Sequence, residues 1–410
     1  MNVNGNPTKK EYIIMLLFLS MCGNVAYGLL PFIEYGYVIV SIILFCIISR
    51  KYKFQIFIRM NANWYKSVVL MMSTFIVLFV AQLIVFQWNT FPGLINHLSK
   101  FFVGACAVLL FGRRFPFVYF KTLYFLALIC IPLWGLQQFI GGIGGLKWQL
   151  GSTIWLYCHR DNSDIVRNCG FFWEPGAMGG YLVLAAVMYI NKLDLLFHYY
   201  KKECVVLILF LLTTQSTGGY LSFFFVIGGY LMTRIMSANK KVKYGLLLLP
   251  IFCAAFIYIY TSSDILQKKV ENQQELAFEA EGEYNSTRLG SLLFDWHYIK
   301  KHPIIGNGLH ENTRLADHPH IVRLLKEGAL ASSGNGFGDV LAKWGLGYVL
   351  IYCLIFFRNN QGTKRVYKLL FLLSIAVMLQ GEMFMNYPLF LALPLIDIKN
   401  LYLSQRFIYQ

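Results

Sequence analysis

Long uninterrupted apolar segments constrain this chain more than any other feature of its sequence. Runs of roughly 17–25 apolar residues recur along its length, and each could cross the hydrocarbon core of a bilayer as a helix. Only 14% of the residues are charged, whereas 57% are hydrophobic, and a soluble domain could not bury so much apolar surface. Because backbone polar groups in lipid must pair internally, we predict an all-α polytopic integral membrane protein.

The distribution of Lys and Arg orients these segments. The net charge is +16, but most basic residues lie in short connectors, which the positive-inside rule assigns to the cytoplasm. The positive charge therefore needs no nucleic-acid partner. We predict 12 transmembrane helices with both termini in the cytoplasm. The predicted spans are 12–30, 33–49, 67–86, 94–111, 117–140, 175–191, two within 204–233, 244–260, 337–357, 369–381 and 385–397.

The apolar stretch 204–233 decides the number of spans. It is long for one crossing and short for two, but basic residues flank it on both sides, at Lys202 and Arg234 among others. Cytoplasmic flanks require two crossings, with the polar break 213–219 as the outer turn of a short hairpin. A single crossing would reduce the count to eleven and would put Arg167 and Arg288 on opposite sides of the membrane.

These spans divide the chain into three parts. Residues 1–260 hold spans one to nine and an outer loop at 141–172, residues 261–336 form one large periplasmic loop, and residues 337–410 hold spans ten to twelve. The large loop contains ten of the twenty acidic residues and five of the eight His. We expect short helices in this loop, one of them an amphipathic helix over 289–300 that lies on the membrane surface.

The first candidate site lies where span six begins, in the sequence RNCGFFWEPGA, residues 167–177. Pro175 suits the first turn of a helix, and Glu174 then lies near its positive end. Trp173 can be explained as part of an interfacial aromatic belt with Glu174 as a helix cap. Since ionisable groups at membrane depth are costly, we favour a functional role for Arg167 and Glu174.

Further candidates lie in the second half of the chain. Arg288 could bind an anionic group through its guanidinium fork, although a solvated loop Arg is an equal alternative. Asn335 lies in a glycine-rich entry to span ten, which suits a ligand contact or an ordinary turn. Glu382 is another acid at membrane depth, and His302 precedes the sequence PIIGNG.

Metal or nucleotide chemistry has little support in this sequence. His302, His310, His318 and His320 share one loop, but neither a Cys pair nor an HExxH helix accompanies them. The chain also lacks a P-loop, a GxGxxG and a GxSxG motif. We therefore predict no metal and no cofactor.

Four motifs, in this order, resemble elements of the O-antigen polymerase (Wzy-type) and O-antigen ligase superfamily, and the resemblance covers the organisation of nearly the whole chain. They are RNCGFFWEPGAMGGYL at 167–182, TTQSTGGYL at 213–221, RLGSLLFDWHYIKKHPIIGNG at 288–308 and SSGNGFGDVLAKWGLGYVLIY at 332–352. Two departures stand out. Ligases tend to have a His-Asn pair where this chain has Gly334 and Asn335, and an Arg often stands where Thr217 follows Ser216. The absent His favours a polymerase.

The resemblance implies a membrane glycosyltransferase at the outer face of a bacterial inner membrane. Its substrate would be an undecaprenyl-diphosphate-linked oligosaccharide, whose glycan is transferred to the next lipid-linked repeat unit in O-antigen, capsule or exopolysaccharide synthesis. A diphosphate leaving group needs fixed positive charge, so Arg167 and Arg288 are the predicted diphosphate ligands. Glu174 is the general base or orients an Arg. The predicted substrate-binding residues are Trp173, His302, Asn335 and Glu382.

Two other functions compete with the polymerase. An O-antigen ligase would use the same donor but a lipid A core or a protein as acceptor. A lipid-linked oligosaccharide flippase belongs to a different class, but such transporters favour internal repeats, which are absent from this sequence, and have no need of a large outer loop. A chain-length regulator and a flippase in the same membrane are candidate partners.

Overall fold

The computed structural model describes most of the predicted spans and parts of both outer loops. The described residues are 5–23, 33–52, 62–87, 90–140, 158–160, 166–170, 172–237, 288–310, 313 and 334–399. The predicted span 244–260 and much of the large loop lie outside them. The helices are α1 Lys9–Ser20, α2 Ile33–Tyr52, α3 Ala62–Phe86, α4 Phe91–Phe111, α5 Phe115–Ile140, α6 Pro175–Met188, α7 Leu193–Tyr199, α8 Lys201–Thr214, α9 Thr217–Ser237, α10 Arg288–Lys301, α11 Gly336–Asn359, α12 Arg365–Leu379 and α13 Pro388–Ala392.

Three helical segments among the described residues are long and apolar enough to cross a membrane. They are Trp64–Phe86, Phe91–Leu136 and Gly336–Asn359, and the bent pair α6 and α7, which meet at 103°, could supply a fourth. Phe91–Leu136 would be about 69 Å long as one helix, roughly twice the hydrocarbon core. Gly112, with φ of 55°, separates it into α4 and α5, as the sequence predicts for two spans.

Apolar side chains cover the outside of the helices as well as their interior. Ile84 is 73% exposed and Leu350 is 67% exposed, whereas Phe75 and Phe371 are fully buried. A helix that is apolar on both its inner and outer faces fits a lipid environment rather than water. The apolar helices therefore indicate a membrane protein, while the full count of twelve spans remains a prediction.

The stretch 204–233 is broken where the sequence predicts. Helix α8 ends at Thr214, Gln215 adopts a left-handed conformation with φ of 48°, and α9 begins at Thr217. Ser216 stabilises the start of α9, since its hydroxyl accepts a hydrogen bond of 3.1 Å from the Gly219 amide. This break is the segment on which the candidate site is assembled.

The described part of the large loop is fixed to the bundle by a turn that follows α10. The side chain of Asn307 donates hydrogen bonds to the carbonyls of Tyr298 (3.1 Å) and Ala342 (3.0 Å). From α3, Gln82 donates to the carbonyls of Ile305 (2.6 Å) and Lys343 (2.8 Å). These bonds hold α10 against α11. One face of α10 is buried and the other is exposed, as the amphipathic pattern predicts.

Residues 385–397, the predicted twelfth span, do not form one continuous helix. Helix α13 has five residues, and a short 3₁₀ turn, Leu393–Leu395, follows it. These eight residues would rise about 12 Å as a helix, less than half of a bilayer core. Pro388 is the first residue of α13, and Pro394 is the second residue of the 3₁₀ turn. Proline is tolerated in the first turn of a helix but cannot continue a preceding one. The segment is buried among the other helices. Residues 385–397 therefore do not form the single helix that the sequence predicts, while their crossing of the membrane remains a prediction.

A short antiparallel hairpin completes the fold near the site. Strand β1, Cys158–Arg160, pairs with β2, Val166–Asn168. The Asn168 side chain donates to the Cys130 carbonyl (3.3 Å) and to the Thr213 hydroxyl (3.0 Å). These two bonds fix β2 between α5 and the end of α8, next to the break.

Candidate functional site

Glu174 stands at the N-cap position of α6, as the sequence predicts. Its side chain makes no capping hydrogen bond, and Pro175 occupies the first helical position. The carboxylate is thus near the positive end of the helix dipole but is not used to satisfy the helix backbone. It is only partly buried, so an incoming group can reach it.

Glu382 lies at the centre of the candidate site. Its side chain is 7% exposed, and its Oε1 is 3.5 Å from Nη2 of Arg288, at the first residue of α10. A Cβ atom on Gly176 would collide with that same Oε1 and would lie 3.4 Å from Oε1 of Glu174. A Cβ on Gly336 would collide with the Glu382 backbone carbonyl. The acid is therefore enclosed by the starts of α6, α10 and α11.

The protonation of Glu382 follows from these surroundings. Burial, the negative charge of Glu174 and a side-chain hydrogen bond between the two acids raise the pKa of Glu382 well above its ordinary value. Arg288 and a hydrogen bond from Trp173 act in the opposite direction. Both effects are smaller than those that raise the pKa. These surroundings therefore favour the neutral form of the Glu382 carboxyl.

Arg167 and Arg288 both contact the break between α8 and α9. The Nε of Arg167, a side chain only 9% exposed, donates a hydrogen bond of 3.3 Å to the Thr214 carbonyl. The Nη1 of Arg288 would be 3.4 Å from a Cβ on Gly218. Only three residues lie between Thr214 and Gly218. The fold thus brings together two arginines that are far apart in the sequence.

Positive potential accumulates at this break. Helix α9 has 21 residues, and its N-terminus begins at Thr217, between the contact points of the two arginines. A helix N-terminus carries about half a positive charge and is suited to bind an anion. Two guanidinium groups and a helix terminus therefore lie close to the carboxyl groups of Glu174 and Glu382. This arrangement can bind a phosphate group while keeping a proton acceptor next to it.

Trp173 packs within the protein at the edge of this cluster. Its ring stacks on Tyr387 with centroids 4.7 Å apart, and a Cβ on Gly23 would collide with it. Its side chain also lies close enough to Glu382 to lower the pKa of that acid. Trp173 therefore packs between the turn that follows α1 and the connector before α13. A residue that served only in an interfacial aromatic belt would not need these contacts.

Asn335 lies beside the cluster with its amide engaged at both ends. Its Oδ1 accepts a hydrogen bond of 2.9 Å from the Gly338 amide as the N-cap of α11, and its Nδ2 donates to Oε1 of Gln380 at 2.9 Å.

His302 is not brought to this site. It follows the last residue of α10, about 21 Å along the helix from Arg288, and its ring contacts Phe86, with centroids 4.6 Å apart.

Two contributors to the site are glycines that the sequence alone does not single out. Gly176 leaves room for the Glu382 carboxyl, and Gly218 leaves room for the Arg288 guanidinium. Both glycines lie in motifs already identified. Their positions in those motifs are the only feature of the sequence that could have predicted their role in the site. Among the described residues, no group of three or more His, Cys, Asp or Glu could hold a metal ion.

The apolar helices and the polar cluster at their ends define a membrane protein with one candidate site. Residues 204–350 match the family model described as O-antigen ligase. This match, which includes the α8–α9 break, α10 and most of α11, confirms the resemblance to the O-antigen polymerase and ligase superfamily in that part of the chain. That group consists of membrane glycosyltransferase-like proteins. The match does not separate polymerases from ligases. No curated protein matches the chain.

Proposed function

We propose that this chain is an oligosaccharide repeat-unit polymerase of a bacterial inner membrane. It transfers a growing glycan from undecaprenyl diphosphate to a sugar hydroxyl of the next lipid-linked repeat unit. The active site faces the periplasm, and both termini are cytoplasmic. The lipid diphosphate supplies the activation, so the reaction uses no metal or nucleotide.

The observation that carries the proposal is the approach of Arg167 and Arg288 to the same break. Arg167 contacts Thr214, and Arg288 lies beside Gly218, with the N-terminus of α9 between them. A diphosphate leaving group gains negative charge as its bond to the anomeric carbon breaks. Fixed guanidinium groups stabilise that charge best, because they do not titrate near neutral pH.

An apolar cavity next to this cluster supports a lipid-linked substrate. It is lined by side chains from α5 to α9, among them Leu182, Leu207 and Leu211. Leu182 is six residues after Gly176 on α6, and Leu211 is three residues before Thr214 on α8. The cavity thus begins within about one to two helical turns of the polar cluster. Its apolar lining suits contact with part of the lipid carrier, while the diphosphate lies among the arginines.

The sequence at the start of α11 favours a polymerase over a ligase. Ligases resemble this chain but tend to have a His before the Asn, and here Gly334 precedes Asn335. The two activities share a donor and differ in the acceptor, so the donor site alone is compatible with both. A ligase acting on a lipid A core or a protein acceptor is the second candidate.

The test compares the glycans of a strain with and without this chain. Loss of a polymerase leaves single repeat units attached to their final acceptor, whereas loss of a ligase leaves polymer on the carrier lipid. Purified protein with lipid-linked repeat units should lengthen the glycan. Movement of these lipids across a vesicle membrane without lengthening would instead show a flippase.

A further inference from the structure

The candidate site contains two carboxyl groups whose surroundings differ. Glu382 is 7% exposed and enclosed by the starts of three helices. Glu174 is only partly buried and makes no helix-capping bond. The two carboxyl groups are neighbours, since a Cβ on Gly176 would collide with Oε1 of Glu382 and lie 3.4 Å from Oε1 of Glu174. Adjacent carboxylates repel each other unless one of them holds a proton, and here the pair has an accessible member and an enclosed one.

We propose that Glu382 holds the proton of this pair and positions Glu174, which acts as the general base on the acceptor hydroxyl. Glu382 donates its proton in the hydrogen bond to Glu174, which fixes the Glu174 carboxylate and leaves its second oxygen facing the acceptor. This inference rests on the proposed function. It gives the site a base where the chain has Gly334 in place of a His.

The step balances without another reactant. One oxygen of Glu174 takes the proton of the acceptor hydroxyl while that hydroxyl oxygen bonds to the anomeric carbon of the donor glycan. The bond from that carbon to the diphosphate breaks, and its electron pair leaves with the lipid diphosphate, beside Arg167 and Arg288. The proton on Glu174 then passes to water or to the released diphosphate.

The charged and titratable groups around Glu382 support this division of roles. Within the described residues they are Glu174 at the start of α6, Arg288 at the start of α10 and Tyr387 next to α13. Arg288, 29% exposed and 3.5 Å away, favours the ionised form of Glu382, but by less than burial disfavours it. As pH rises far enough for Glu382 to lose its proton, two adjacent carboxylates repel each other, and Glu174 loses the bond that orients it.

Four proteins test the proposal: the wild type, E382Q, E382A and E174Q. Each is purified in lipid and given lipid-linked repeat units extracted from a strain lacking this chain, and the rate of glycan lengthening is measured across pH. A Gln at 382 can donate the same hydrogen bond but cannot titrate. We expect E382Q to stay within about tenfold of the wild type, whereas E382A and E174Q fall by about 10²–10⁴-fold.

The pH dependence of the rate shows whether Glu382 positions Glu174 through its proton or only fills space. The wild-type rate should fall on the alkaline side, and E382Q should lack that fall. Equal inactivity of E382Q and E174Q, with both folded, would overturn the proposal, as would an alkaline fall that persists in E382Q.

A second measurement does not depend on activity. Difference infrared spectra between wild type and E382Q should contain the carbonyl band of a protonated carboxylic acid at neutral pH, and its absence would also overturn the proposal. If wild-type protein does not lengthen glycan, the proposed polymerase function fails, while the infrared band still decides where the proton lies.

Discussion

Nη2 of Arg288 lies 3.5 Å from Oε1 of Glu382, across a sequence separation of 94 residues. The contact joins the first residue of α10, which belongs to the large loop, to the connector that follows α12. One wall of the candidate site therefore comes from the loop and the others from the membrane helices. Because Arg288 belongs to the loop, any displacement of α10 would also change the distance between Arg288 and Glu382.

Replacing either arginine should abolish long glycans. R167A and R288A each remove a fixed positive charge, and we expect a loss of about 10²–10³-fold in lengthening rate. R167K and R288K should recover only part of the rate, because Lys lacks the planar fork. Glycan banding from cells, with the protein level verified, provides the measurement.

R234A is the matched control for these variants. Arg234 forms a surface pair with Asp194 at 3.0 Å, and its side chain is 55% exposed. It should leave chain length unchanged. Normal chain lengths in R167A or R288A would contradict the role assigned to that arginine.

G176A should impair the reaction while leaving the protein folded. The added methyl group collides with Oε1 of Glu382, so the carboxyl must move away from Glu174. A displacement of about 1 Å in such a site costs about 10²-fold in rate. G135A is the control, since no atom lies within 4 Å of the added Cβ there. If G176A matches G135A in activity, the Glu174–Glu382 geometry is not needed.

Asn335 offers a test between a structural and a substrate-binding role. N335A removes the N-cap of α11 and should lower the stability of the folded protein by about 1 kcal/mol. N335D keeps an oxygen for the Gly338 amide but loses the donor to Gln380. Thermal unfolding in detergent and lengthening rate are measured together. A stable but inactive N335D would support a substrate contact, whereas parallel changes in stability and rate would indicate capping alone.

G104A should destabilise the protein strongly, because α4 packs there directly on the backbone of α13. A Cβ on Gly104 would collide with the Pro388 carbonyl. This backbone atom lies in a packed interior and cannot rotate away as a side chain could. We expect a loss of about 3 kcal/mol, the upper end for overpacking. Thermal unfolding beside G135A measures it. Equal stability of the two variants would argue that residues 388–395 do not pack inside the bundle.

Several helices could be predicted because their signals are local. Apolar length and flanking charge gave α3, α4, α5 and α11 to within a few residues of their observed bounds. The break in 204–233 was also local, since polar residues and glycines interrupt an apolar run. Residues 385–397 were predicted as one helix but form short segments, because two prolines interrupt them, and apolar composition does not distinguish a buried short helix from a crossing one.

The sequence by itself determined that this is an apolar helical chain with charged residues near the ends of particular helices. It identified Arg167, Glu174 and Glu382 as unusual because an ionisable group is costly near lipid, and Arg288 as a possible ligand for an anionic group. Only the tertiary structure decided that Glu382 lies between Glu174 and Arg288 and that His302 lies elsewhere. The physical reason is distance. Charges interact through a few ångströms of space, and packing between helices sets that separation independently of their spacing along the chain.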